Sequence, residues 1–221
     1  MERGALLEVL VERIVGVKRS HPVRVAIDGV DGVGKTTLAD ELAGPLQRRG
    51  RAVIRASIDG FHNPRSVRYR MGRDSPEGYF LDSFNYEALR TGLLGPLGPD
   101  GSRRYRRAVF DYRTDSEVST PVETAAADAV LLFDGVFLLR PELLEYWDVS
   151  IFVDAPFEIA VARMAQRGGG SAEVDAEENR RYVEGQRLYL RQCEPKRVAT
   201  ILVNNEDLAE PEIVRNLSPR G

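Results

Sequence analysis

The segment Gly29-Val-Asp-Gly-Val-Gly-Lys35-Thr36 gathers glycines, a lysine and a hydroxyl into one short run. The spacing G-x-x-x-x-G-K-[ST] lets backbone N–H groups turn inward around phosphate oxygens, while the helix that follows aims its positive end at the same charge. Lys35 would neutralise the β- and γ-phosphates of ATP, and the Thr36 hydroxyl would reach Mg²⁺. Gly29, Asp31, Gly32, Val33, Gly34, Lys35, Thr36 and Thr37 are thus the expected nucleotide-binding residues. Asp31 would cap or orient the loop. The flanks suit the motif, with the β-rich Val23-Arg-Val-Ala-Ile-Asp28 before it and the helical Thr36-Thr-Leu-Ala-Asp-Glu-Leu-Ala43 after it.

Two acids have spacing that suits distinct tasks beside a triphosphate. Asp59 follows the strand candidate Arg51–Ser57, and Asp134 follows Ala129–Phe133. In a parallel sheet, residues just past the strands share the carboxyl edge where ligands bind. One carboxylate there can take a proton from an attacking hydroxyl while the other holds Mg²⁺, directly or through water. Each would serve equally as a turn or cap residue, since Asp-Gly follows many strands. Asn204 or its neighbour Asn205, past the last strand, would edge the adenine. Arg163 and Arg167 share a helix face, and their guanidinium groups would stabilise the transferring phosphoryl group or simply solvate a helix end. Arg65, Arg68, Arg70 and Arg73 would solvate an exposed segment, contact an anionic acceptor, or make lid or subunit contacts. His62 is a further acceptor contact, and Tyr69, Tyr79, Phe80 and Phe84 suit either base stacking or core packing.

Positioning these groups requires alternating strands and helices. Residues 5–18 have amphipathic helical spacing, halted by His21-Pro22. Pro45 interrupts the helix after the loop and predicts a kink or restart there. Ala129–Phe133 and Val149–Val153 read as buried parallel strands, each followed by a helix, around 141–147 and 156–167. A polar helix around 176–191 precedes a fifth strand, Thr200–Val203. The pattern predicts an α/β, three-layer P-loop fold with a five-stranded, mainly parallel sheet. Residues 60–128 break the rhythm and read as a substrate-binding insertion with a hairpin near 103–112. Residues 163–181 read as a lid, with Gly168–Gly170 as its hinge.

The 221 residues suit one domain spanning 1–221, and the net charge of −3 gives no support to a nucleic-acid or anionic-membrane partner. Cys193 stands alone, so no intrachain disulfide forms and a reducing compartment fits. No apolar run approaches the roughly 18 residues of a membrane span, and the acidic N-terminus is unlike a secretory signal. The expectation is a cytoplasmic protein, with homo-oligomerisation left open.

The ordered set Asp28–Thr37, Ser57-Ile-Asp-Gly-Phe-His62, Phe110-Asp-Tyr112, Phe133-Asp-Gly135 and Phe152-Val-Asp154 resembles the uridine kinase and phosphoribulokinase group of P-loop kinases. The resemblance runs from about residue 23 to 205. It implies ATP-dependent phosphorylation of an alcohol on a small molecule, with Asp59 as general base and Lys35, Arg163 and Arg167 in catalysis. It maps the acidic-Gly pair onto Asp134-Gly135, where uridine kinases usually carry Glu, and Thr36 and Asp134 become the metal residues. A Tyr-Asp-Phe segment maps onto Phe110-Asp111-Tyr112, which lacks the first Tyr hydroxyl, and an Asp-His-Pro element is replaced by Gly78-Tyr-Phe-Leu-Asp82-Ser-Phe84. Asp59, Phe61, His62, Tyr79, Asp82, Asp111 and Tyr112 are the acceptor residues on this reading. Ala160 stands where the family's lid usually carries another arginine, for which Arg180 or Arg181 could substitute. Uridine or cytidine leads as acceptor. A sugar phosphate or a pantothenate-like acceptor is the alternative, and a nucleotide-dependent switch or partner-binding ATPase the alternative of another class.

Overall fold

Three largely apolar runs form the centre of a sheet buried on both faces, as parallel strands flanked by helices must be. The computed structural model describes residues 1–168 and 170–217. Helix α1 (Arg3–Gly16) leads into β1 (Val23–Asp28), the phosphate loop, α2 (Lys35–Arg48) and β2 (Val53–Ser57). Short helices α3 (Arg65–Arg68), α4 (Pro76–Asp82) and α5 (Tyr86–Leu89) follow, then two-residue strands β3 (Arg104–Tyr105), β4 (Phe110–Asp111), β5 (Ser116–Glu117) and β6 (Glu123–Thr124). The chain re-enters the sheet through β7 (Val130–Gly135) and β8 (Val149–Asp154), then runs through α6 (Phe157–Gln166), α7 (Glu177–Cys193), α8 (Pro195–Val198), β9 (Ile201–Asn204) and β10 (Glu212–Asn216).

The main sheet is six-stranded in the order β10-β9-β8-β1-β7-β2, parallel except for β10, which pairs antiparallel with β9. The sixth strand is the addition to the expected five. Its sequence Glu-Ile-Val-Arg-Asn carries no buried run, because an edge strand has one neighbour and leaves Val214 exposed. One layer packs α1 and α2 on one face through Leu6, Leu10, Ile14, Leu38, Leu42 and Leu46, all fully buried. The opposite face is covered by α4, α7 and the 60–128 segment, whose Phe80, Phe84, Leu89 and Leu93 share one core with Phe133 and Phe137.

Three local expectations are corrected. Pro45 lies inside α2 without a restart, because Leu42 and Leu46 on either side of it are fully buried and their packing outweighs one lost amide bond. The helix expected around 141–147 is a single 3-10 turn, Leu144–Tyr146, since Leu143 and Trp147 must both reach the core over a short span. The hairpin expected at 103–112 is shifted: β4 pairs with β5, and β3 pairs with the distant β6. Among the described residues no helix is long and apolar enough to cross a membrane.

Candidate active site

β1 ends at the centre of the sheet, so the chain leaving it must turn sharply before α2. Gly32 makes that turn with φ 82°, and a Cβ there would lie 2.0 Å from the Ala160 carbonyl oxygen. Gly34 sits at φ 98° as the residue that caps α2, a left-handed conformation that L side chains resist. The loop is held from outside at several points. Asn205 donates through Nδ2 to the Val33 carbonyl at 2.7 Å, and its Oδ1 accepts from Arg3 at 2.8 Å. Gln186 of α7 embraces Asp31, accepting from its backbone N–H at 2.9 Å and donating to its Oδ2 at 2.8 Å. The buried Tyr79 donates its hydroxyl to the same oxygen at 2.9 Å. Asp31 is therefore an orienting residue that ties the loop to α4 and α7. Lys35 is buried, with Nζ donating to the Val30 carbonyl at 2.8 Å and lying 3.8 Å from Asp31 Oδ1.

Beneath the loop, Asp28 is wholly buried at the end of β1. It accepts hydrogen bonds from the Tyr189 hydroxyl, from Gly29 N–H at 2.7 Å and from Leu139 N–H at 3.2 Å. Burial raises its pKa to about 6 against the opposing pull of those donors and of Lys35.

The next strand out, β7, brings Asp134 alongside β1 and β2, with Asp134 in register with Ile27 and Ser57. Asp134 lies within the strand rather than after it, and is 3% exposed. Its Oδ2 accepts from Thr36 Oγ1 at 2.7 Å, while its Oδ1 pairs with Arg55 of β2 at 3.0 Å. This donor set fits Mg²⁺. A hydroxyl and a carboxylate meet at the first turn of the loop helix, and Mg²⁺ needs only one or two protein oxygens when phosphates supply the rest. No cluster of three or more metal-ligating side chains occurs among the described residues, so the protein alone offers no closed cage.

A cleft of about 540 Å³ opens over these groups, within the usual size of small-ligand sites. Asp31, Gly32, Gly34, Lys35, Thr36 and Asp134 line one end, and Asp59, His62, Tyr69, Tyr79, Tyr112 and Arg113 the other. Asp59 stands in the 3-10 turn after β2, capped by Ser57, whose Oγ accepts its backbone N–H at 3.3 Å. Its side chain reaches solvent through the cleft mouth, yet protein closes around it on the remaining sides. That enclosure first, and the Asp31 and Asp134 carboxylates next, raise its pKa to about 6, against the pull of Lys35 and Arg113. His62 lies between Phe84 and Tyr112, with ring centroids 4.6 and 4.8 Å away, and burial lowers its pKa to about 4. It is a neutral imidazole whose Nδ1 meets the Asp59 carbonyl at 3.0 Å.

Several expected residues face elsewhere. Phe61 is fully buried and packs near Phe133, because the turn that exposes Asp59 directs the next apolar side chain into the core. Asp82 is 4% exposed and takes two hydrogen bonds from Arg70, at 2.8 and 2.6 Å, which commits both its oxygens. Asp111 closes a turn on the Arg113 N–H at 2.9 Å and lies off the cleft wall. Arg163 donates to the Asn205 and Glu206 carbonyls at 2.9 and 2.7 Å, so it braces the loop after β9, and only Arg167 of that pair lines the cleft. Arg181, offered as a substitute, lines the cleft but spends its Nη1 on the Arg73 and Ser75 carbonyls and its Nη2 on Arg68 O. Gly29 and Val33 form the buried frame of the loop, and Thr37 points outward from α2. Asn204 ends β9 with Oδ1 on the Glu206 N–H at 3.0 Å. The segment between α6 and α7 is shorter than the expected lid, and its hinge includes Gly169, which lies outside the described residues.

Arg55, Gln186 and Tyr189 were not singled out from sequence. Tyr189 carries no local motif. Arg55 had one signal, a charge set between the apolar Ile54 and Ala56 of a strand candidate.

A uridine kinase from Leuconostoc citreum is 28% identical over 215 residues, which cover 88% of this chain and 94% of that relative. The structure of a possible uridine kinase from Bacillus stearothermophilus superposes with a TM-score of 0.72 at 24% identity, covering 91% of this chain and 99% of that one. A phosphoribulokinase from Rhodobacter spheroides shares the fold at a TM-score of 0.57 and 13% identity, over 92% of this chain and 77% of that one. These matches support an ATP-dependent phosphotransferase acting on a hydroxyl group, built on the three-layer P-loop fold. The sequence model of the cytidylate kinase-like family matches residues 24–206, so the chain belongs to the cytidylate kinase-like family.

Proposed function

We propose that this protein transfers the γ-phosphoryl group of ATP to a hydroxyl of a small organic acceptor, with Asp59 as the general base. The observation that carries the reading is Asp59 itself. Its carboxylate opens on the same cleft as Lys35 and Thr36, with a pKa raised to about 6. Such a group is ionised at neutral pH and still basic enough to take an alcohol's proton as the phosphoryl group moves, which matches the pKa a working base needs.

The other residues divide the remaining tasks. Loop amides and Lys35 hold the phosphates, with Lys35 exchanging the Val30 carbonyl for phosphate oxygens. Thr36 and Asp134 are the residues that would hold Mg²⁺, which when bound withdraws charge from the phosphate oxygens. Arg167, at the mouth of the cleft, neutralises charge on the group in transfer. The segment that follows it serves as a lid excluding water, and residues 60–128 supply the acceptor wall.

Relatives that are uridine kinases make uridine and cytidine the first acceptors to assay, with sugar phosphates and pantothenate as the alternative set. ADP release would be followed with ATP, Mg²⁺ and each acceptor in turn, and the product identified by mass. Hydrolysis that no acceptor accelerates, with no phosphorylated product, would sink the proposal and favour a nucleotide-dependent switch.

A further inference from the structure

We infer that Gln186 and Tyr79 are positioning residues that hold the Asp31 carboxylate away from Lys35, so that the lysine stays available to phosphate; the inference rests on the nucleotide-binding part of the reading above. A carboxylate is an awkward side chain in a loop that must bind anions. Asp31 stands four residues before Lys35 and lines the same cleft, so left to itself it would close on the ammonium group as an ion pair. Nucleotide phosphates would then have to break that pair before reaching Lys35.

The pair is held open. Asp31 Oδ1 lies 3.8 Å from Lys35 Nζ, beyond hydrogen-bonding distance, and Lys35 donates instead to the Val30 carbonyl at 2.8 Å. What holds the carboxylate is its other oxygen. Oδ2 accepts from Gln186 Nε2 at 2.8 Å and from the Tyr79 hydroxyl at 2.9 Å. Gln186 also accepts the Asp31 backbone N–H through Oε1 at 2.9 Å, so one side chain fixes both the backbone and the carboxylate of that residue. Two neutral donors stabilise the negative charge in place, and neither draws on the charge of Lys35.

Both donors are themselves firmly placed. Gln186 is 3% exposed and Tyr79 7%. They come from α7 and α4, which must cross closely for both to reach one oxygen. Gly185, next to Gln186, permits that crossing: a Cβ there would lie 2.8 Å from the Pro76 carbonyl oxygen and 2.8 Å from Tyr79 Cδ1. The Tyr79 ring is set edge-on against Phe137 and Tyr182, with centroids 5.1 and 5.0 Å away. Burial first, and the Asp31 charge next, push the Tyr79 pKa well above its usual value, so its hydroxyl remains a donor. The retained carboxylate has a use, since after enclosure Asp31 is the largest further cause raising the pKa of Asp59.

The test titrates ADP and AMPPNP (a nonhydrolysable ATP analogue), each with Mg²⁺, into wild type and variants by isothermal calorimetry, with circular dichroism reporting the fold. Gln186→Met keeps the bulk of the side chain and removes both of its hydrogen bonds, and should raise the Kd for either nucleotide about tenfold. Tyr79→Phe is a milder change and should raise it about threefold. The deciding variant is Asp31→Asn/Gln186→Met. With no carboxylate left to close on Lys35, it should bind nucleotide within about twofold of Asp31→Asn alone, a non-additivity that lost packing would not produce. A tenfold loss that persists in the Asp31→Asn background would overturn the inference, as would Gln186→Met and Tyr79→Phe both binding as wild type does. Wild-type protein that binds neither nucleotide would remove it together with the kinase reading. No acceptor enters these titrations, so a panel in which no acceptor is phosphorylated would remove the kinase reading alone.

Discussion

Replacing Asp59 with Asn removes the charge and the basicity of one atom group in the cleft while keeping its shape, so it separates chemistry from architecture. As the base, Asp59 contributes about 10²–10⁴-fold to turnover, and Asp59→Asn should lose that factor with little change in the KM for ATP. The wild-type kcat/KM should fall with one-proton dependence below about pH 6, following the pKa raised by enclosure and by Asp31 and Asp134. The variant should lack that acid limb. Stability should move the other way. The folded-state value lies above the ordinary 3.8, so the neutral carboxyl is the form that favours folding. Its contribution is full below about pH 4 and is lost as pH rises through about 6. The full shift corresponds to about 3 kcal/mol, and solvent access through the cleft mouth reduces it to about 1 kcal/mol. Asp59→Asn should therefore melt about 2–4 °C higher than wild type at pH 8, with the gap closing towards pH 5. A pH–rate series and thermal melts on both proteins read all three effects. Full turnover in the variant, or an acid limb that survives in its residual activity, would take Asp59 out of the role and point to buried Asp28, whose pKa is also raised to about 6.

Arg55→Met removes the partner that orients the Asp134 carboxylate, and the half-saturating concentration of free Mg²⁺ should rise about tenfold, the usual cost of losing a group that holds a metal ligand in place. Mn²⁺ affinity of the nucleotide complex, read by electron paramagnetic resonance, should weaken alongside it; an unchanged metal requirement would reduce Arg55 to a strand-packing residue. Gly32→Ala drives a Cβ against the Ala160 carbonyl at a positive φ, and should cost about 1–3 kcal/mol in denaturant titrations and abolish detectable ATP binding. Arg163→Ala and Arg167→Ala should split cleanly. The first loses two carbonyl contacts and lowers the melting temperature, while the second lowers kcat about tenfold or more at unchanged stability. Equal kinetic losses in both would return Arg163 to the cleft.

The division between what sequence reveals and what it hides follows from where the determining interactions lie. β1, β7 and β8 are buried at nearly every position, so β-rich and apolar runs announce them, and the glycines of the loop are forced by backbone geometry that leaves few other residues. Both signals are local. β10 is invisible by the same logic, since an edge strand alternates and its partner β9 imposes the pairing. Residues 60–128 read as an insertion because their periodicity is weak, yet Phe80 and Phe84 meet Phe137 at 5.3 and 6.3 Å and belong to the same core as the sheet.

At the site, the expected residues that face elsewhere have partners set by tertiary structure. Asp82 matches the composition of an acceptor contact but meets Arg70, and Arg163 matches a lid arginine but meets the carbonyls after β9. Asp59 and Asp134 were legible because strand ends in a parallel sheet converge whatever the side chains do. Arg68 shows the limit. Its run of arginines suggested either solvent or an anion, and only the fold shows Arg70 leaving for Asp82 while Arg68 stays in the cleft wall with a donor unspent. The phosphate-loop end of this site is thus fixed by backbone geometry local to the loop, whereas the acceptor end is fixed by side-chain pairs made across the fold. Acceptor identity should accordingly respond to substitutions at the far end of the cleft that leave nucleotide affinity unchanged.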